Sequence, residues 1–136
     1  MADRHTSHST YNIYYHFTFC PKFRHKVLIK GVDEKLKVIF NKIAEDYKFE
    51  IIEQEIMEDH VHLFISAPPS LSPGKIISII KSISGREIFM LYPNLKKTHS
   101  WKKGFWASSF YVETIGSVSK ENIIKYIKNQ KNKKIV

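Results

Sequence analysis

An α+β fold, with a four-stranded antiparallel sheet and two helices on one face, is the expectation for this sequence. Three observations carry it. Residues 11–19, "YNIYYHFTF", place Tyr11, Ile13, Tyr15, Phe17 and Phe19 on one side and Asn12, Tyr14, His16 and Thr18 on the other, the period of a strand with one buried side. Two segments, opening near Gly31 and Ser72, space their apolar residues for helices. The β-like stretches 49–57 and 60–67 lie only two residues apart, which predicts a hairpin.

Each element has a local cause. The leader "MADRHTSHST" is polar and expected to fray. After the first strand, Leu36, Ile39, Phe40, Ile43 and Tyr47 form the apolar stripe of a helix over 33–47, with Asp33 as its expected N-cap. The hairpin follows, and "PPSLSPG" ends it. Ser72 as N-cap and Pro73 in the first helical position then open a second helix. Ile76, Ile79, Ile80 and Ile83 are its stripe, and Lys75, Lys81 and Arg86 its cations. A Lys-rich loop leads to "FWASSFYVETI", 105–115, an aromatic and β-branched fourth strand. Ser119 is positioned to cap a third helix over about 119–131. The order β-α-β-β-α-β-α packs most simply as a ferredoxin-like (RRM-like) split β-α-β sheet over about 11–115, with the last helix surplus.

The 136 residues suffice for one domain, not two. Apolar runs are broken within about ten residues, too short to span a bilayer. No charged-then-apolar leader precedes the first strand, so no secretion signal is expected. A single cysteine, Cys20, allows no internal disulfide. A cytoplasmic protein with no membrane partner is expected. Twenty-two Lys and Arg against thirteen Asp and Glu give +9, which points to a polyanion, nucleic acid first; a merely basic soluble protein is the alternative. The cations cluster in "CPKFRHK", "NLKKTHSWKKGFW" and "KYIKNQKNKK", and the first two clusters carry rings on which bases can stack.

Alternation along 60–67 sends His60, His62 and Phe64 one way and Val61, Leu63 and Ile65 the other. The aliphatic set must meet the helices, so the histidines are expected on the open face, beside Asn12, Tyr14, His16 and Thr18. Imidazoles at i and i+2 can converge on one metal ion. With seven histidines in the chain, the pair alone is equally compatible with solvent-facing residues. The third helix adds context: Tyr126 and Gln130 are four apart and share a face, with Asn122 one turn earlier. A tyrosine can act as a covalent nucleophile, and an amide oxygen suits Mg²⁺ or Mn²⁺. An amphipathic helix with a packing tyrosine is the plainer alternative.

The ordered set "PKFRHKVL", "DHVHLF", a basic helix opened by Ser-Pro, "WASSFYVETIG" and "KYIKNQ" resembles the HUH single-tyrosine transposases of small prokaryotic insertion sequences, which act on single-stranded DNA. The resemblance runs from the first strand to Gln130. It implies that His60, His62 and Gln130 hold a divalent metal, Mg²⁺ or Mn²⁺, and that Tyr126 attacks the scissile phosphorus, leaving a 5′-phosphotyrosine and a free 3′-hydroxyl. It implies a homodimer with composite active sites, the tyrosine helix crossing over a hinge at Gly116, and a DNA hairpin near each element end as the partner. Lys22, Arg24 and Arg86 are the candidate phosphate contacts; each is equally readable as a solvated cation. Free tyrosine titrates near about 10, so metal, water or a neighbour such as Asp59 or His16 must assist its deprotonation. Two rivals stand: a non-catalytic single-strand-binding module of the same topology, and a metal-dependent nuclease that activates water.

Overall fold

The computed structural model describes residues 4–5, 10–98, 101, 104–116, 122, 125, 128 and 129. Four strands, β1 (Tyr14–Phe19), β2 (Glu50–Ile56), β3 (Val61–Ser66) and β4 (Tyr111–Ile115), form one sheet in the order β2-β3-β1-β4. Every neighbouring pair is antiparallel. Helices α1 (Val32–Tyr47) and α2 (Pro73–Leu91) provide the two crossovers, which makes this the ferredoxin-like split β-α-β topology the sequence predicts. A short helix α3 (Pro93–Thr98) occupies part of the Lys-rich connection.

The core lies between the sheet and the helices. Phe17 and Phe19 of β1 and Val61, Leu63 and Ile65 of β3 meet Leu36, Ile39, Phe40 and Ile43 of α1 and Ile76, Ile77 and Ile80 of α2, all buried. The helical stripes therefore face where their spacing places them, except for Tyr47 at the end of α1, which is 44 % exposed. Ser72 Oγ accepts from Lys75 N at 3.1 Å, and Pro73 occupies the first turn, so the second helix opens as expected.

Four local expectations are corrected. The N-cap of α1 is Gly31, at φ 96°, not Asp33. The chain arrives through Lys30, itself at φ 54°, and turns into the helix through a left-handed residue, which glycine adopts without a Cβ clash. Asp33 instead joins Glu34 in the first turn, where carboxylates complement the positive helix end. The first strand is shorter than 11–19: Tyr11 belongs to a two-residue ladder in which Arg4–His5 pairs with Thr10–Tyr11, so part of the leader is paired. The fourth strand is only Tyr111–Ile115.

The last difference has a packing cause. Phe105 and Trp106 turn into the core rather than extending β4. Trp106 meets the Phe19 ring edge-on at 4.7 Å, and its Nε1 donates to Ser84 Oγ at 2.9 Å. A side chain at Gly85 would put a Cβ 3.3 Å from the Cβ of Phe105, so the bare backbone of α2 admits these rings. Lys81 Nζ donates to the carbonyls of Ala107 (2.6 Å) and Ser109 (2.9 Å), tying down a segment with only one isolated bridge, Pro21 to Trp106.

Of the third helix, Asn122, Lys125, Lys128 and Asn129 are helical and exposed. Ser119, Tyr126 and Gln130 lie outside the described residues. Among the described residues no helix is long and apolar enough to cross a membrane.

Trp106 is 6 % exposed and joins β1, α1 and α2, so Trp106→Ala should lower the unfolding free energy by about 3–5 kcal/mol. Val38→Ala, at a helix position 67 % exposed, should stay within about 0.5 kcal/mol of the parent. Urea denaturation followed by circular dichroism compares the two.

Candidate active site

The sheet face turned away from the helices carries Tyr14, His16 and Thr18 from β1, His62 and Phe64 from β3, and Tyr111 and Glu113 from β4. Antiparallel pairing sets His16 opposite both Phe64 and Glu113, and Thr18 opposite both His62 and Tyr111. The histidines thus lie on the expected face, next to the expected β1 residues. That face is not open at its centre, however. Tyr14, His16 and His62 are 1 % exposed and Phe64 is fully buried. Tyr14 and Phe64 form a second small apolar cluster with Ile52 and Ile115 beside them, and strand alternation alone does not reveal it.

His60 precedes β3 at the hairpin turn, where its carbonyl accepts from Met57 N at 2.9 Å. Its ring stands 5.1 Å from that of His62, nearly perpendicular at 86°. His60 Nδ1–H donates to Asp59 Oδ1 at 2.7 Å. The other oxygen, Oδ2, accepts from Arg24 at 3.1 Å. Burial alone would raise the Asp59 pKa; the His60 hydrogen bond and the Arg24 charge outweigh it and lower it, so the carboxylate stays ionised. With Nδ1 occupied, His60 is left with Nε2 for a ligand.

His62 is bound on the same side of its ring. Its Nδ1 lies 3.0 Å from His16 Nε2 and 3.1 Å from Thr18 Oγ1. Its Nε2 is buried with no hydrogen-bond partner. A buried polar nitrogen without a partner loses about 1–3 kcal/mol of solvation; among the described residues Gln54 Oε1 and Ser66 Oγ share that condition, but the His62 nitrogen belongs to a ring beside a second imidazole. Burial, reinforced by the neighbouring imidazoles of His16 and His60, pushes the His62 pKa down to about 4, so the ring is neutral and its nitrogen is free to donate a lone pair. Burial likewise lowers His16, with Glu113 opposing in part.

Two imidazoles with occupied Nδ1 atoms and available Nε2 atoms fit a divalent ion of the first transition row, whereas Mg²⁺ would need oxygen ligands beside them. They are too few to enclose one. Among the described residues no three His, Cys, Asp or Glu side chains gather as a metal centre, and Gln130, the expected third ligand, lies outside those residues.

His60 opens on a cleft of about 260 Å³ lined by Thr18, Cys20, Arg24, Phe110 and Tyr111. Phe110 and Tyr111 are 40 % and 57 % exposed at its rim, and the neighbouring Phe23 is 77 % exposed. Of the three expected phosphate contacts, Lys22 and Arg24 share a single helical turn (Lys22–Arg24), and Arg24 is already paired with Asp59. Arg86 lies elsewhere, in a groove between α2 and residues 104–110. Sequence reasoning gave Glu113 no role. The sequence shows only that Glu113 falls two residues from Tyr111; its place opposite His16 comes from the pairing of β4 with β1.

Comparison with known proteins places this geometry among relatives. The family model described as "Transposase IS200 like" matches residues 9–130. The ISDra2 transposase TnpA of Deinococcus radiodurans is 37% identical over 123 residues, covering 90% of this chain and 87% of that protein. The transposase for insertion sequence element IS200 of Salmonella typhimurium is 27% identical over 128 residues, covering 94% and 83%. Among solved structures, a candidate transposase from D. radiodurans R1 superposes with TM-score 0.76 at 32% identity, over 93% of this chain and 97% of that one. A REP-associated tyrosine transposase bound to a REP hairpin gives TM-score 0.61 at 18% identity, over 97% and 74%, a likeness of fold.

The depressed His62 pKa fixes a pH dependence. Between about 4 and the ordinary 6.5 the unfolded chain binds a proton at this position that the folded chain does not, so stability falls as pH drops through that window. The loss from this residue should be on the order of 3 kcal/mol. Urea unfolding of metal-free protein at pH 7.0 and 4.5, repeated with His62→Gln, should show a shallower pH dependence in the variant.

Proposed function

The chain belongs to the IS200-like transposase family and is a DNA transposase, and we propose that it cuts and rejoins single-stranded DNA through a 5′-phosphotyrosine on Tyr126 with help from a divalent metal. The observation that carries the metal part is the buried, partnerless Nε2 of His62 beside His60, whose Nδ1 is held by Asp59. His60, His62 and Gln130 would hold the ion. When bound, Mg²⁺ or Mn²⁺ supplies Lewis-acid stabilisation of charge on the phosphate oxygens.

The chain's own residues account for the rest. The cleft next to His60 has a lining suited to a nucleotide: Phe110 and Tyr111 offer ring faces to bases, and Arg24 offers a cation to a phosphate. Tyr126, deprotonated, attacks phosphorus; the bond to the 3′-oxygen breaks and that oxygen takes up a proton. The aryl phosphate keeps the strand's bond energy, so a second 3′-hydroxyl can displace the tyrosine and rejoin the strand. Tyr111 also lines the cleft, but the charge of Glu113 and a 3.2 Å hydrogen bond to it raise the Tyr111 pKa and keep that phenol protonated.

The substrate we propose is a hairpin-bearing single strand at the element's ends, in line with the hairpin held by the structurally similar REP-associated enzyme. The working unit is a homodimer in the cytoplasm, with the histidine pair of one subunit meeting the tyrosine helix of the other. The net charge of +9 supports a polyanionic partner.

Labelled hairpin DNA incubated with Mn²⁺ and resolved on a denaturing gel should give a protein-linked band. Tyr126→Phe should bind the DNA but lower adduct formation by roughly 10³-fold or more, and His62→Ala should lose the metal-dependent cut. Release of both DNA ends without adduct would support a nuclease, and binding without cutting a recognition module.

A further inference from the structure

The polar row behind His62 continues past His16 to a carboxylate. His16 Nδ1 faces Glu113 Oε1 at 3.4 Å, and His16 Nε2 faces His62 Nδ1 at 3.0 Å. The other carboxylate oxygen, Glu113 Oε2, accepts from the Tyr111 hydroxyl at 3.2 Å. Three strands contribute, β4, β1 and β3, so the row is built by the register of the sheet centre and not by a loop.

We infer that Glu113 and His16 are positioning residues that fix the tautomer of His62, holding its proton on Nδ1 and keeping the Nε2 lone pair directed away from the row. The argument is one of donors and acceptors. An ionised carboxylate only accepts, so His16 must present Nδ1–H to Glu113. The neutral His16 ring then has a lone pair on Nε2, and it can only accept from His62. His62 Nδ1 must therefore carry the proton, and its Nε2 is the bare nitrogen, the same atom that the packing leaves without a partner. Thr18 Oγ1, 3.1 Å from the same Nδ1, can donate or accept and so imposes no direction. The Nδ1 side of His60 is likewise tied to a carboxylate, by the shorter route through Asp59. Carboxylates behind ligating histidines commonly set ring orientation in this way, and their loss weakens metal affinity by about 10- to 100-fold.

The inference rests on the metal reading for its purpose but not for its test. Ring-nitrogen NMR of ¹⁵N-histidine-labelled, metal-free protein at pH 7 reports the tautomer directly. In the parent, His62 should be protonated on Nδ1. In Glu113→Gln the amide can either accept or donate, so His62 should become a mixture, and Mn²⁺ affinity by calorimetry should fall about 10- to 100-fold. Thr18→Val should leave the tautomer on Nδ1. Glu113 is half-exposed, so its variant is a fair test even where His16→Gln fails to fold. A parent His62 protonated on Nε2, or a Glu113→Gln protein with tautomer and affinity both unchanged, overturns the inference, as does a tautomer that follows Thr18→Val instead. A correct tautomer that responds to Glu113→Gln in a protein that binds no Mn²⁺ upholds the relay and refutes the metal reading.

Discussion

The burial of neutral imidazoles on the sheet face away from the helices is the constraint on which the rest depends. A buried histidine is tolerated when its nitrogens find partners, and each missing partner is worth about 1–3 kcal/mol. Here the row from Glu113 through His16 satisfies one nitrogen of His62 and leaves the other empty. Had the face been solvated, water would have served both nitrogens and the geometry would say nothing about a ligand. Burial also keeps His62 uncharged at neutral pH, which a metal ligand requires.

The topology explains why this row can exist. In the order β2-β3-β1-β4 the two central strands are β3, which carries His62, and β1, which carries His16. Central strands cannot slip register without turning a buried aliphatic face outward. Phe17, Val61, Leu63 and Ile65, fully buried on the helix side, therefore lock the height of His16 and His62 on the other side. The core and the site are opposite faces of the same residues' alternation, so the hydrophobic pattern that folds the domain also aligns its polar row.

That coupling is why so much was legible in the sequence. Period-two alternation in 11–19 and 60–67 gave the right face for His16 and His62, with His60 at the turn before β3, and Ser72-Pro73 gave the start of α2 to the residue. What escaped was decided by contacts distant along the chain. Asp33 was a sound cap by composition, but the left-handed turn at Lys30 and Gly31 moved the cap two residues earlier, to Gly31. The 105–110 segment has strand composition, yet its rings are drawn into the space above Gly85. The closed centre of the site face needed Tyr14, Phe64, Ile52 and Ile115 to meet from separate elements. Glu113 could be assigned only once β4 was known to pair with β1, because a carboxylate on an alternating strand otherwise reads as solvated.

Arg24 belongs to the scaffold through Asp59, and under the proposed function the same guanidinium would also meet substrate. Asp59 divides its oxygens, Oδ1 to His60 and Oδ2 to Arg24. The two bonds differ in setting: the Arg24 side chain is 43 % exposed and that of His60 is 14 %. An ion pair as exposed as Arg24 with Asp59 contributes on the order of 0–1 kcal/mol. A phosphate entering the adjoining cleft offers the guanidinium a second anion of equal or greater hydrogen-bonding capacity. Under the proposed function, exchange of Asp59 for phosphate would cost Arg24 little, and His60 would keep its own carboxylate oxygen. Under the proposed function, a strand bound at this cleft would leave the orientation of the imidazole beside it unchanged.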